Sequence, residues 1–196
     1  MKNYIKTIAA ALLVSAAFIS CDHDTELPPI TPAVASESFS RTDGAFNFDG
    51  WVNFAEAGTK TWFKNAYQGN DYIEFSSFGS GQASNIGWAI MPKVNLDQAA
   101  GKTLIFQTAQ HHATLAANKI EVLVSEDFDG TNVLAATWTS LPFKLPTYTN
   151  ATNYDFVGSG AVDLSAYSGE IYIAFRATGN GSTLTGGFQI DNIKLF

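Results

Sequence analysis

The sequence predicts an all-β fold, a two-layer β-sandwich, on three observations. Short runs rich in β-branched and aromatic residues recur at eight to sixteen residue spacing from Ala35 onward, turn-forming Gly, Asn, Asp and Ser separate them, and no stretch carries a convincing amphipathic helical pattern. In chain order the candidate strands cover 37–39, 49–54, 61–66, 72–76, 87–91, 102–109, 119–125, 136–140, 157–162, 171–176 and 187–195. The first four are short runs around Phe39, Trp51, Trp62 and Tyr72-Ile73. The fifth is the apolar run Gly87-Trp88-Ala89-Ile90-Met91, and the sixth, 102–109, is the longest before the final strand. Alternation is clearest in 119–125, Lys-Ile-Glu-Val-Leu-Val-Ser, and in 171–176, where Ile171, Ile173 and Phe175 point inward and Tyr172, Ala174 and Arg176 outward. Such period-two patterns belong to half-buried antiparallel strands. The two longest linkers, 142–156 and 79–86, are rich in Thr, Asn, Ser and Gly, and long loops on a sandwich are where binding usually sits.

The chain is 196 residues long, sized for one domain, and its 15 Phe and 4 Trp supply ample apolar surface for a core at roughly 25 cal/mol per Å². A single Cys excludes an intrachain disulfide, a Cys-rich zinc cluster and a thiol redox pair. Net charge is −7, and −9 once Lys2 and Lys6 are removed with the leader. Eleven Lys and Arg scattered among eighteen Asp and Glu lack the basic footprint of a nucleic-acid binder, so no nucleic-acid partner is expected.

Lys2 and Lys6 precede an apolar run from Ile8 to Ile19, too short to span the ~30 Å hydrocarbon core and of the right length for a secretory leader. The run ends in Phe18-Ile19-Ser20-Cys21, which resembles a bacterial lipobox, with Phe18 where Leu is usual. Residues 1–20 then form a lipoprotein signal peptide and Cys21 the lipidated first residue, the alternative being a plain leader with an incidental Cys. Residues 21–34 read as a tether: an acidic cluster, Asp22 to Glu26, and then three prolines that stiffen the segment toward polyproline II. An acidic cluster behind the lipidated Cys resembles the surface-export signal of Bacteroidetes lipoproteins, which implies a lipid anchor in the outer membrane facing the cell exterior. Residues 35–196 form the folded domain, without an internal repeat.

No Gly-x-Ser-x-Gly nucleophile elbow and no Cys–His pair is present, and Glu74, Glu121 and Asp155 show no pairing that glycosidase chemistry requires, so the chain reads as a non-enzyme. His111-His112 cannot chelate one ion from a strand, because adjacent side chains point to opposite faces. Asp127-Phe128-Asp129-Gly130 lacks the later ligands of an EF-hand and reads as a turn between strands. Candidate exposed aromatic platforms are Tyr148 and Tyr154 in the long polar loop, Tyr67 before Gln68-Gly69-Asn70, and Trp62, whose place is the least certain of the four Trp.

The ordered set Glu37-Ser38-Phe39, Gly50-Trp51, Thr61-Trp62, Gly87-Trp88-Ala89-Ile90-Met91-Pro92, Val122-Leu123-Val124-Ser125, Ala136-Thr137-Trp138, Ile171 to Arg176 and Ile190-Asp191-Asn192-Ile193 resembles the choice-of-anchor J domain. It is similar as well to the DUF5017 lipoproteins of Bacteroides and to the cleaved-adhesin modules of gingipain proteases. The resemblance covers nearly all of 36–196 and implies a jelly-roll β-sandwich of the galactose-binding, MAM-like and carbohydrate-binding-module kind. It places Trp51, Trp88 and Trp138 inside strand motifs, hence in packing. It also implies a structural Ca²⁺ held by Asp191 with Glu37 as its companion and Asp43 as a weaker third ligand, where the alternative is an Asp that caps a turn through backbone N–H groups. The implied function is a non-catalytic surface module that binds glycan, with adhesion to a host or bacterial protein as the competing reading.

Overall fold

The computed structural model describes residues 31–40, 46, 48–147 and 153–196, so Cys21, Asp43 and Tyr148 lie outside the described residues. Residues Thr31 to Phe196 form one compact unit. Its strands are β1 (Ala35–Glu37), β2 (Val52–Ala57), β3 (Phe63–Tyr67), β4 (Asn70–Ser76), β5 (Asn85–Ile90), β6 (Val94–Asn95), β7 (Thr103–His111), β8 (Lys119–Ser125), β9 (Thr139–Leu141), β10 (Val157–Gly158), β11 (Val162–Asp163), β12 (Glu170–Gly179) and β13 (Gly187–Leu195). The one helical element among the described residues is a single 3-10 turn, Leu96–Gln98.

The strands form two antiparallel sheets. The larger runs β10-β7-β13-β4-β3, with β1 beside β13 and β11 beside β7; the smaller runs β2-β5-β12-β8-β9, with β6 beside β12. Apart from β3–β4 and β8–β9, the paired strands are distant in sequence, as a jelly-roll sandwich requires. Between the sheets lies one core that includes Trp62, Ile73, Phe75, Leu104, Phe106, Phe175, Phe188, Ile190 and Ile193. Phe39, Phe46, Phe48 and Trp51 add an edge-to-face cluster with ring centroids 5.1 to 6.4 Å apart.

The expected strands 119–125 and 187–195 are present with those bounds, and the expected run 157–162 is two short strands. Its register against β7 slips by one residue between Gly158↔Gln107 and Val162↔Leu104, and Gly160, at φ 74, takes the bend there. The inward set Ile171, Ile173 and Phe175 is in the core as alternation requires, but of the outward set only Arg176, paired with Glu56 and Glu121, stands outside the apolar clusters. Ala174 and Tyr172 belong to a second apolar cluster, with Trp88, Ile90, Leu123, Phe128 and Val133, on the outer face of the smaller sheet. Residues 126–138 lie over that face, with Trp138 packed 5.2 Å from Trp88 and donating from Nε1 to the Val133 carbonyl at 2.8 Å. This is why 136–138, expected as strand, is a covering loop and only Thr139–Leu141 pairs with β8. Asp129 holds the turn by accepting from the Thr131 and Asn132 N–H groups, which keep its carboxyl well below the ordinary range.

Candidate functional site

One broad sheet face carries exposed functional side chains, the outer face of the larger sheet. Pairing places side chains of facing residues on the same side: Gly187, Gln189 and Asp191 of β13 face His111, Ala109 and Gln107 of β7, and Ser76 and Glu74 of β4 face Gly187 and Gln189. β3 continues the row, with Phe63 opposite Glu74, Asn65 opposite Tyr72, and Tyr67 opposite Asn70.

Two clefts open on this face. The first, about 730 Å³, is lined by Tyr67, Asn70, Tyr72, Gln107, Gln189 and the segment Asn153–Phe156. The second, about 700 Å³, is lined by Lys60, Phe63, Glu74, Phe78, His111 and His112, and shares Tyr154 with the first. Among the described residues, four of the six exposed large hydrophobic side chains stand here: Phe63 (40% exposed), Tyr67 (67%), Phe78 (75%) and Tyr154 (48%). That concentration of rings distinguishes this face from the sealed one opposite, since scattered surface aromatics are ordinary and a grouped set marks binding.

The wall between the clefts is built by the end of the long polar loop. His112 N–H donates to Asn153 Oδ1 at 3.1 Å, Tyr154 N–H donates to the Gln110 carbonyl at 3.0 Å, and Phe156 rests 5.5 Å from Tyr72. Tyr154 stacks on His111 with centroids 4.6 Å apart and planes 14° apart. Its backbone is left-handed, φ 71, a conformation that costs a residue with a side chain about 1 kcal/mol or more and is held here by its neighbours.

Beneath the rings is a buried polar network that sequence reasoning did not assemble. Glu74 accepts from His111 Nε2, Asn65 Nδ2 and Gln189 Nε2, each at 3.0 Å. His111 reaches Glu74 across β13 because Gly187 leaves the space; a Cβ there would collide with His111 Nε2. Burial pushes the Glu74 carboxyl up, but the hydrogen bonds from His111, Asn65 and Gln189 outweigh it and hold the group below its usual value. A depressed carboxylate contributes stability that is present above its unfolded pKa and lost as pH falls through the lower folded value. Urea denaturation at pH 7 and at successive steps below pH 5 is therefore expected to show wild-type stability falling with acid, and Glu74→Gln to be about 1 to 3 kcal/mol weaker at pH 7 with a flatter acid limb. Parallel acid limbs would mean that another carboxylate carries the dependence.

The expected aromatic platforms divide. Tyr67 and Tyr154 stand on the cleft rims. Trp62 does not: it is 1% exposed, in the core between the sheets, with Nε1 donating to the Gly87 carbonyl at 3.1 Å. Its run reads as strand, but β3 begins at Phe63, and it is Phe63 that reaches the cleft. Phe78, the most exposed ring among the described residues, follows β4 in a turn and has no strand pattern to single it out. The cue for Glu74 was a carboxylate amid Ile73 and Phe75, and its partners, 37 and 115 residues away, depend on register alone.

Asp191 is buried next to a β-bulge. The register slips between Asp191↔Gln107 and Lys194↔Ile105, with Asn192 at φ 50, so that Ile190 and Ile193 both enter the core. Its carboxylate accepts from Asn192 N–H at 2.6 Å and from Asn192 Nδ2 at 2.9 Å. Burial raises the Asp191 pKa, hydrogen bonds from Asn192 and Asn70 oppose this, and the charges of Asp71 and Glu37 raise it further. Glu37 pairs with Ile193 across β1 and β13, and its Oε1 accepts from the Ser38 and Phe39 N–H groups at 3.0 and 2.8 Å. The donors are oxygens, the kind calcium takes, but among the described residues no three His, Cys, Asp or Glu side chains converge on one point. Both carboxylates also make the backbone hydrogen bonds of the turn-capping alternative.

The model of the family described as a domain of unknown function, DUF5017, matches residues 63–196, more than half of the chain. The chain belongs to the DUF5017 family. Among solved structures this DUF5017 domain is similar to the K1 cleaved adhesin domain of Lys-gingipain from Porphyromonas gingivalis W83, at 22% identity and TM-score 0.53 over 83% of this chain and 96% of that one. The K2 cleaved adhesin domain of Lys-gingipain aligns at 15% identity and TM-score 0.55 over 83% and 98%. The N-terminal CBM22-1-CBM22-2 tandem domain of Xyn10C from Paenibacillus barcinonensis aligns at 12% identity and TM-score 0.50, over 87% of this chain and 50% of that one. At these identities the likeness is one of fold. No curated protein sequence matches the DUF5017 chain.

Proposed function

We propose that this DUF5017 protein is a non-catalytic binding module, held on the outer membrane by lipid on Cys21 and facing the exterior, that takes glycan on the outer face of its larger sheet. The observation that carries the reading is the grouping of Tyr67, Tyr154, Phe63 and Phe78 with amide side chains around two adjoining clefts, while the opposite sheet face is sealed by residues 126–138. Rings stack on sugar faces and amides meet hydroxyls, the mix a carbohydrate site needs. The names of the structural neighbours, adhesin domains and carbohydrate-binding modules, agree with a binding role. A glycan array probed with residues 22–196 is the direct test: Tyr67→Ala should cut binding at least ~5-fold at unchanged melting temperature, on the ~0.5 to 1.5 kcal/mol scale of an aromatic contact together with its lost burial. Unchanged binding by that variant would remove Tyr67 from the site. The competing reading, adhesion to a protein, draws on Phe63 and Phe78, whose exposure suits an apolar partner surface.

The calcium assignment, Asp191 with Glu37 and with Asp43 as a further ligand, is part of the same proposal. Asn70 and main-chain carbonyls would supply more of the six to eight oxygens the ion takes. The anchor has its own test. Cys21→Ala removes the acyl acceptor, and the full-length variant is expected in the soluble fraction, without the mass added by lipid, because stable anchoring depends on the acyl chains. A variant that remains membrane-anchored with unchanged mass would overturn the lipoprotein assignment.

A further inference from the structure

Resting on the reading of this face as a glycan site, we infer that its ligand is an uncharged oligosaccharide lying along the strands through both clefts, and that acidic chains are excluded. The clefts occupy opposite ends of the same hairpin, one at Tyr67 and Asn70, the other at Phe63 and Ser76. Six residue steps of β4 separate Asn70 from Ser76, about 20 Å at 3.4 Å per residue. Exposed rings stand at both ends, Tyr67 and Phe78, and Tyr154 stands between the clefts. A single terminal sugar covers one of these rings, whereas a chain of several sugars covers all three.

The charges argue for neutrality. Among the described residues Lys60, in the second cleft, is the sole Lys or Arg lining either cleft, against the carboxylates Asp155 in the first and Glu74 in the second. The two histidines are the remaining groups there that can carry positive charge. His111 turns its Nε2 onto the Glu74 carboxylate at 3.0 Å and buries its Nδ1, so neither ring nitrogen is presented to an anion in the groove. A carboxylate or sulfate on the ligand brings acceptors and charge to a groove already supplied with both. Hydroxyl groups donate as well as accept, and they suit the amides of Gln68, Gln107 and Asn153, each of which carries both a donor and an acceptor. The net charge of −9 without the leader adds a repulsive field at low salt.

The test uses residues 22–196 on an array that pairs neutral chains with their sialylated, uronic-acid and sulfated counterparts, followed by titration with the di- and hexasaccharide of the best neutral series. The expected result is binding to neutral members, at least ~10-fold weaker binding to acidic counterparts, and a hexasaccharide at least ~10-fold tighter than the disaccharide, a difference of about 1.4 kcal/mol. Tyr67→Ala and Phe78→Ala, at opposite ends of the groove, should each weaken the hexasaccharide. Equal binding of acidic counterparts, or a disaccharide as tight as the hexasaccharide, overturns the inference and leaves the glycan site standing. Binding of no glycan at all overturns both.

Discussion

Trp62→Ala is expected to cost about 3 to 5 kcal/mol of folding free energy, the range for truncating a fully buried aromatic side chain. In a domain of this size that lowers the melting temperature by roughly 6 to 20 °C, at ~2 to 4 °C per kcal/mol. Trp62 ties the two sheets together. Its ring lies 5.9 Å from Phe75 on β4 of the larger sheet, and its Nε1 donates to Gly87 on β5 of the smaller. Its backbone is gripped on both sides by Asn53 of β2, which donates from Nδ2 to the Trp62 carbonyl at 2.7 Å and accepts the Trp62 N–H at 3.1 Å. Gly87 has no room for a side chain, since a Cβ would overlap the Phe75 ring, so the space that Ala would leave cannot be filled from that strand. Trp62→Phe keeps most of the ring but leaves the Gly87 carbonyl without this donor, and should cost less, about 1 to 3 kcal/mol. Urea denaturation measures both. An unchanged urea midpoint with lost ligand binding would instead make Trp62 the platform its sequence context allowed.

The misplacement of Trp62 shows which part of the molecule a sequence can carry. Period-two alternation fixes which residues of one strand share a face, and for β12 it assigned Ile171, Ile173 and Phe175 to the core correctly. It does not say whether the other face meets water. Tyr172 and Ala174 look solvent-facing until residues 126–138, more than thirty positions earlier, are seen to cover them. The same limit hides the polar floor of the site: Glu74, His111 and Gln189 sit on three strands that become neighbours through the order β7-β13-β4, and no local spacing encodes that order. Tyr67 and Tyr154 were legible because each lies beside or within a polar, turn-forming segment, where an aromatic side chain has little core to enter. Phe63 and Phe78 were not, since one sits in an aromatic run next to Trp62 and the other in a short turn.

Millimolar calcium is expected to raise the melting temperature of the wild-type chain. In the ion-free protein Asp191 is costly to ionise, because it is buried and faces the charges of Asp71 and Glu37. Its folded pKa is raised, so by linkage its favourable contribution is present below the unfolded pKa and is lost as pH rises through the folded value. As pH rises toward neutrality the ion-free domain takes on this cost, and a dication seated among these oxygens would remove it by supplying the missing positive charge. At a free concentration 100 times the dissociation constant, binding to the native state alone adds about 2.7 kcal/mol, a rise of roughly 5 to 11 °C. Asp191→Asn keeps the shape of the side chain and removes its charge, so the variant should fold and melt at the same temperature in calcium and in EDTA. The core between the sheets contains no part of this site, which is why folding survives the change. Equal melting temperatures for the wild type in EDTA and in millimolar calcium would assign Asp191 to the bulge alone, where its carboxylate accepts the Asn192 N–H and holds the last strand in register.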